Sequence, residues 1–231
     1  MVDFSYKDLS IIYEDNHLLV VDKPINIPMQ ADQSNDIDLL TICKEYLRNT
    51  YHKPGNVYCG MVQRLDRPVG GVCVFAKTSK AASRLSDQIR RNALHKVYYA
   101  VVCGETKQHE ELLDYLLKDE KENMVYVVDA SVSNAKQARL TYDTLQFIEN
   151  LSLVKVLLET GRSHQIRVQF SSRHLPLWGD QRYNKDAKPG QQIALWSHQL
   201  SFIHPTKQEE VTFIAKLPKG KPWNLFEVKD D

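Results

Sequence analysis

Asp66 is the single carboxylate of Gln63-Arg64-Leu65-Asp66-Arg67-Pro68-Val69-Gly70-Gly71, where two guanidinium groups flank it. Pro68 fixes its own φ and drives Arg67 out of helical space, and Gly70-Gly71 admit backbone angles closed to other residues. The spacing therefore predicts a shaped turn that presents Asp66 at the mouth of a buried strand, Val72 to Ala76. Opposite charge within a few ångströms favours an ionised carboxyl, so Asp66 is suited to nucleophilic attack or ion pairing rather than to general-acid work. The plain alternative is a turn residue bonded to its own backbone, with Arg64 and Arg67 solvated.

Two further stretches could do chemistry. In Thr160-Gly161-Arg162-Ser163-His164-Gln165-Ile166-Arg167, Ser163 is placed to cap a short helix to about Arg173. His164 and Arg167 then share one face and Ile166 and Phe170 another, and a helix start crowned by Arg162 suits an anion. An amphipathic packing helix with solvated arginines is the alternative. In Lys96-Val97-Tyr98-Tyr99 strand alternation sends the two aromatic rings to opposite faces. Cys43, Cys59, Cys73 and Cys103 are scattered without Cys-x-x-Cys spacing and read as small buried hydrophobes, so neither a metal site nor a disulfide framework is expected.

The elements that must position these groups follow the hydrophobic pattern. Ile11 to Tyr13 and Leu18 to Asp22 read as a hairpin, and Asp36 or Asp38 caps a helix to about Asn49 with Leu39, Leu40, Cys43, Tyr46 and Leu47 as its stripe. Thr78 or Ser79 caps a basic helix to about Asn92 that buries Ala82, Leu85 and Ile89. Lys96 to Gly104, Met124 to Val128, Gln137 to Glu149, Leu151 to Glu159, Gln192 to Phe202 and Val211 to Lys216 read as strands, and Lys221 to Val228 docks Trp223 and Phe226. Many antiparallel strands with about three helices make an α+β fold, a mixed and mainly antiparallel sheet flanked by a few helices. One domain over 1–231 is expected.

The chain has 231 residues, 42% hydrophobic and 26% charged, and a net charge of +1. No apolar run reaches the about 18 residues of a membrane helix, and the first residues lack a signal-peptide core, so a cytoplasmic protein is expected. The charge is segregated. Gly60 to Tyr99 carries eight Lys or Arg against two acids, Thr160 to Arg182 four arginines against Asp180, and Glu105 to Glu122 seven acids against three lysines. A basic face on a neutral protein is sufficient for phosphate contact, although an ordinary solvated helix explains Ser79 to Leu94 equally well.

Taken with the Asp66 loop, Tyr13-Glu14-Asp15-Asn16-His17-Leu18-Leu19-Val20-Val21-Asp22-Lys23-Pro24, Lys96 to Gly104 and Thr160 to Arg167 stand in the order of the RluA-type pseudouridine synthases. The chain resembles that family from about Ser10 to Ala215. The resemblance implies the pseudouridine synthase catalytic fold and an isomerase that converts uridine to pseudouridine in structured RNA, rRNA or tRNA, with no metal or organic cofactor. It implies Asp66 as the catalytic residue, Tyr98 as the ring stacked on the target base, Arg167 as the partner of Asp66, and Leu200 beside the base. Gln63, Val69 and Gln169 depart from residues common in relatives. Some relatives carry an N-terminal RNA-binding module, which is not expected here because the pattern starts about ten residues in.

An anion beside the sugar stabilises the cationic character that develops as an N-glycosidic bond breaks. Whether Asp66 attacks the sugar, attacks the base or takes the C2′ proton is open at this level. The target uridine must be flipped out of its stack, with Arg64, Arg67, Arg84, Arg90, Arg91, Lys96, Arg162 and His164 as candidates for RNA contact. A monomer acting on RNA, with no DNA or membrane partner, is expected. The rival readings are a non-catalytic RNA-binding protein and a hydrolase using Asp66 with His164.

Overall fold

The structure, a computed structural model, describes residues 4–228, so the two ends of the expected 1–231 domain lie outside the described residues. The chain divides into two compact units: one is the chain up to His95 with Ser197–Ala215, the other Lys96–Trp196 with the chain from Lys216 on.

In the first unit β1 (Ser10–Glu14) and β2 (Leu18–Lys23) form the expected hairpin. Its turn is closed by Asp15, whose carboxylate accepts the N–H groups of His17 and Leu18 at 2.8 Å each. Leu18 to Val21 are wholly buried, the pattern of a strand covered on both faces. β2 pairs antiparallel with β4 (Gly70–Ala76), which neighbours β10 (Leu195–Ile203) and, on its short outer stretch, β3 (Gly60–Met61). β11 (Glu210–Ile214) pairs with β10.

Helix α1 (Leu39–Thr50) is capped by Asp38, which accepts the Thr41 N–H at 3.0 Å. It buries Ile42 rather than Leu40 or Tyr46, and the Tyr46 hydroxyl donates to Glu14 at 2.8 Å. Helix α2 (Ser79–Arg90), capped by Thr78, buries Ala81, Leu85 and Gln88, one position away from the expected Ala82 and Ile89. The Gln88 amide pairs with both backbone groups of Ile203, at 2.8 and 2.9 Å, and so occupies a core position as a polar residue.

In the second unit the strand order is β5 (His95–Cys103), β9 (Leu151–Leu158), β8 (Lys136–Ile148), β6 (His109–Asp119) and β7 (Met124–Val128), each neighbouring pair antiparallel. β7 lies at the edge. β6 was hidden in the acidic run: Leu112 and Leu116 are buried on a face that also carries Glu110 and Asp114, while Glu111 and Leu113 are exposed on the other. β8 and β9 turn through Glu149 and Asn150, both left-handed at φ 51° and 60°. Helix α3 (Gln165–Ser171) is shorter than expected, and His164, not Ser163, precedes it with φ 51° and no capping bond. Gln165 Oε1 instead takes the Arg162 N–H at 3.0 Å and the Thr160 hydroxyl at 2.8 Å. Trp223 and Phe226 are buried as expected. The α+β class, with its mixed, mainly antiparallel sheet and three helices, agrees with the sequence reading. No helix among the described residues is long and apolar enough to cross a membrane.

Candidate active site

The first unit holds Asp66, Arg64, Arg67, Arg84, Arg90, Arg91 and Leu200; the second holds Lys96, Tyr98, Arg162, His164 and Arg167. The Val69 N–H donates to the Asp66 carbonyl at 2.9 Å, closing a turn with Arg67-Pro68 at its centre, so the half-buried Asp66 is presented where β4 begins. Of the two glycines that follow, Gly71 is the demanding one. It has φ 110°, and a Cβ there would lie 2.1 Å from the Ser197 carbonyl oxygen of β10.

The expected sandwich of Asp66 between two guanidinium groups is not what forms. Arg67 turns away to the 26–36 loop, donating to the Asn26 carbonyl at 3.1 Å, to Ser34 Oγ at 3.0 Å and to Asp36. The cation that supports the loop from below is Lys23, fully buried at the end of β2. Its ammonium donates to the carbonyls of Pro24, Arg67 and Val69 at 3.0, 3.0 and 2.8 Å, gripping the chain on both sides of Pro68. Burial pulls its pKa down to about 8, and attraction to Asp66 works in the opposite sense. Its neighbour Asp22 has Oδ1 buried without a hydrogen-bond partner, and burial pushes that carboxyl up to about 6. The legible signal for Lys23 was a lysine at the end of an otherwise apolar buried strand, whose ammonium must find acceptors.

In the second unit Arg167 is 3% exposed and makes a two-point ion pair with fully buried Asp180, Nε to Oδ2 at 2.8 Å and Nη2 to Oδ1 at 2.7 Å. Its guanidinium lies over the Tyr183 ring at 5.2 Å, and the Tyr183 hydroxyl meets His164 Nδ1 at 2.8 Å. His164 and Arg167 thus share a face, as predicted, and Tyr183 is what they share. Asp180 and Tyr183 were missed, because nothing in their spacing marks a loop that folds back on a helix. Tyr98 is buried in β5, opposite Val156.

The remaining candidates divide by partner. Arg64 is exposed and makes no ion pair among the described residues. Lys96 is mostly buried, with Nζ beside the Gly161 backbone, and burial lowers its pKa. Arg84 donates to the Pro205 carbonyl, Arg90 and Arg91 both pair with Asp87, and Arg162 folds back onto the Gln137 carbonyl of β8 at 2.9 Å rather than crowning α3. Leu200 is fully buried in β10 opposite Phe213. Gln169 is fully buried and donates to Asp114 at 2.7 Å, Val69 is buried, and the Gln63 amide has both polar atoms buried without a hydrogen-bond partner.

The chain is similar to known proteins over most of its length. Residues 17–172 match the family model described as RNA pseudouridylate synthase. Among curated relatives, ribosomal large subunit pseudouridine synthase D of Zymomonas mobilis is 32% identical over 222 residues, covering 91% of this chain and 70% of that protein. tRNA pseudouridine synthase C of Haemophilus influenzae is 28% identical over 231 residues, covering 90% and 93%. Among solved structures, human RNA pseudouridylate synthase domain containing 4 superimposes with a TM-score of 0.77 at 20% identity over 91% of this chain and 89% of that one, which is a likeness of fold.

Proposed function

The chain belongs to the RNA pseudouridylate synthase family and to its RluA type, and from that premise we propose that it isomerises specific uridines of structured rRNA or tRNA, with Asp66 as the catalytic carboxylate. The bond from the uracil N1 to the sugar C1′ breaks, the uracil turns, and its C5 joins C1′ while the C5 proton leaves and N1 gains one. Atoms and electrons balance within the nucleotide, so no co-substrate is consumed.

The observation that carries this reading is the Asp66 turn, closed by Val69, fixed at Gly71 and held from beneath by buried Lys23. A carboxylate on so constrained a loop reaches a sugar or base without first ordering its own backbone, which lowers the entropic part of the barrier. Tyr98 is assigned to the base, offering a face for stacking and a hydroxyl for the C5 proton. Arg167 is assigned to Asp66 as the guanidinium that orients it, and Leu200 packs beside the base. Arg64, Arg84, Arg90, Arg91, Lys96 and Arg162 are assigned to phosphates. Relatives named for rRNA and for tRNA both match, so the reading covers both classes of RNA. The protein is read as a cytoplasmic monomer.

Asp66→Asn decides the matter. Pseudouridine formation in total RNA, mapped with and without the variant, falls below detection while RNA affinity stays within about threefold; a variant that still forms pseudouridine removes Asp66 from the mechanism. Release of free uracil by the wild-type protein supports the hydrolase instead, and unaltered uridines in a deletion strain support a non-catalytic binder.

A further inference from the structure

Resting on the assignment of Arg167 to the reacting carboxylate, we infer that Asp180 and Tyr183 are positioning residues that fix the guanidinium plane of Arg167 for the isomerisation. A guanidinium offers its donors in one rigid plane, so an acid that takes Nε and Nη2 together fixes both the plane and the direction in which the third nitrogen points. Asp180 takes those two at 2.8 and 2.7 Å. It is itself held: Oδ1 also accepts the N–H groups of Arg182 at 3.0 Å and Tyr183 at 3.3 Å, so its carboxylate cannot rotate without breaking its own turn.

Tyr183 closes the other side. Its ring lies against the guanidinium at 5.2 Å, and its hydroxyl is anchored by the Val125 N–H of β7 at 2.9 Å and by His164 at 2.8 Å. The loop carrying both residues is fixed at its start by Gly179, where φ is 72° and a Cβ would lie 2.4 Å from the Gln192 carbonyl oxygen, and at Tyr183 by the Ser171 hydroxyl, which donates to its carbonyl at 2.7 Å. A buried arginine needs an anion to be tolerated at all, and the Asp180 carboxylate supplies it. Two-point capture, a stacked ring and a doubly anchored loop go beyond neutralisation and specify orientation.

The test measures single-turnover rates and KM on a wild-type RNA substrate for Asp180→Asn, Arg167→Met and the double variant. Asp180→Asn keeps an acceptor for the turn but sets an amide NH2 against the guanidinium, so kcat is expected to fall about a hundredfold, the scale of a misplaced catalytic contact, with KM within threefold. The double variant is expected to be no slower than Arg167→Met alone, because Asp180 acts only through that arginine. Multiplying losses, or a KM that rises as far as kcat falls, overturns the inference. If Asp180→Asn does not fold, Tyr183→Leu, which strands no buried charge, carries the test: a tenfold loss in kcat at constant KM supports it, and a kcat within twofold of wild type overturns it. Wild-type protein that forms no pseudouridine sinks the underlying reading and this one together, whereas active wild type, inactive Asp66→Asn and unimpaired Asp180→Asn sink this one alone.

Discussion

Burial treats adjacent residues of β2 in opposite ways. Lys23 satisfies its ammonium with three carbonyls, whereas Asp22 leaves Oδ1 without a hydrogen-bond partner, and its carboxyl stands at about 6 against an ordinary 3.8. With a folded pKa above the unfolded one, the folded state holds its proton longer as pH rises. The contribution of Asp22 to stability is therefore greatest below about pH 4, declines through about pH 6, and stays low above that. Asp22→Asn is neutral throughout, so its thermal midpoint should match wild type near pH 4 and exceed it at pH 8; a constant offset across that range would show that the carboxyl does not titrate as described. Asp66 was legible in sequence because a carboxylate beside Pro and Gly-Gly constrains its own backbone locally. The burial of Lys23 left a signal, but its acceptors did not, since two of them lie 44 and 46 residues away, and Asp180 reaches its arginine across 13.

The elements show where hydrophobic pattern is sufficient and where it fails. β2, β4 and β5 are apolar runs that declare themselves. β6 does not, because Asp114 sits between Leu112 and Leu116 on the same face and breaks the apolar alternation, while Glu111 and Leu113 face outward. Its acids are also structural: Glu110 accepts from Lys107 at 2.6 Å and from Tyr142 at 3.0 Å, and Asp114 from Arg173 at 2.9 Å and Gln169 at 2.7 Å. The expected strand bounds leave only Asn150 between β8 and β9, but the turn takes two residues, Glu149 and Asn150, both left-handed, and Glu149 is poorly suited to the first position. Replacing Glu149-Asn150 by Asn-Gly matches the turn to its backbone and should stabilise the protein by about 1 kcal/mol. Denaturant unfolding with an unchanged slope and a higher midpoint is the expected result; an unaltered midpoint would mean that Glu149 already tolerates its conformation.

At the scale of the whole molecule the question is how a chain of net charge +1 binds a polyanion. Segregated charge suggested an answer, and the structure narrows it by showing which cations are already matched. Lys77 is paired with Glu14, Arg67 with Asp36, Arg167 with Asp180 and Arg173 with Asp114. Arg90 and Arg91 share Asp87 at the surface, where an ion pair is worth little and a phosphate exchanges with it readily. Arg64, Lys80 and Lys96 have no acidic partner among the described residues, and Lys96 is partly desolvated before any ligand arrives. Phosphate affinity should then come from a few named cations rather than from net charge, and each phosphate neutralised steepens the salt dependence by about 0.7 to 0.9 in log K per log salt. Lys96→Met should weaken binding to structured RNA and reduce that slope by about 1, whereas Arg173→Met, whose charge is matched by Asp114, should leave the slope unchanged. Filter binding or fluorescence titration between 50 and 200 mM salt separates the two, and equal slopes for both variants would mean that the RNA senses overall charge and not the unmatched cations.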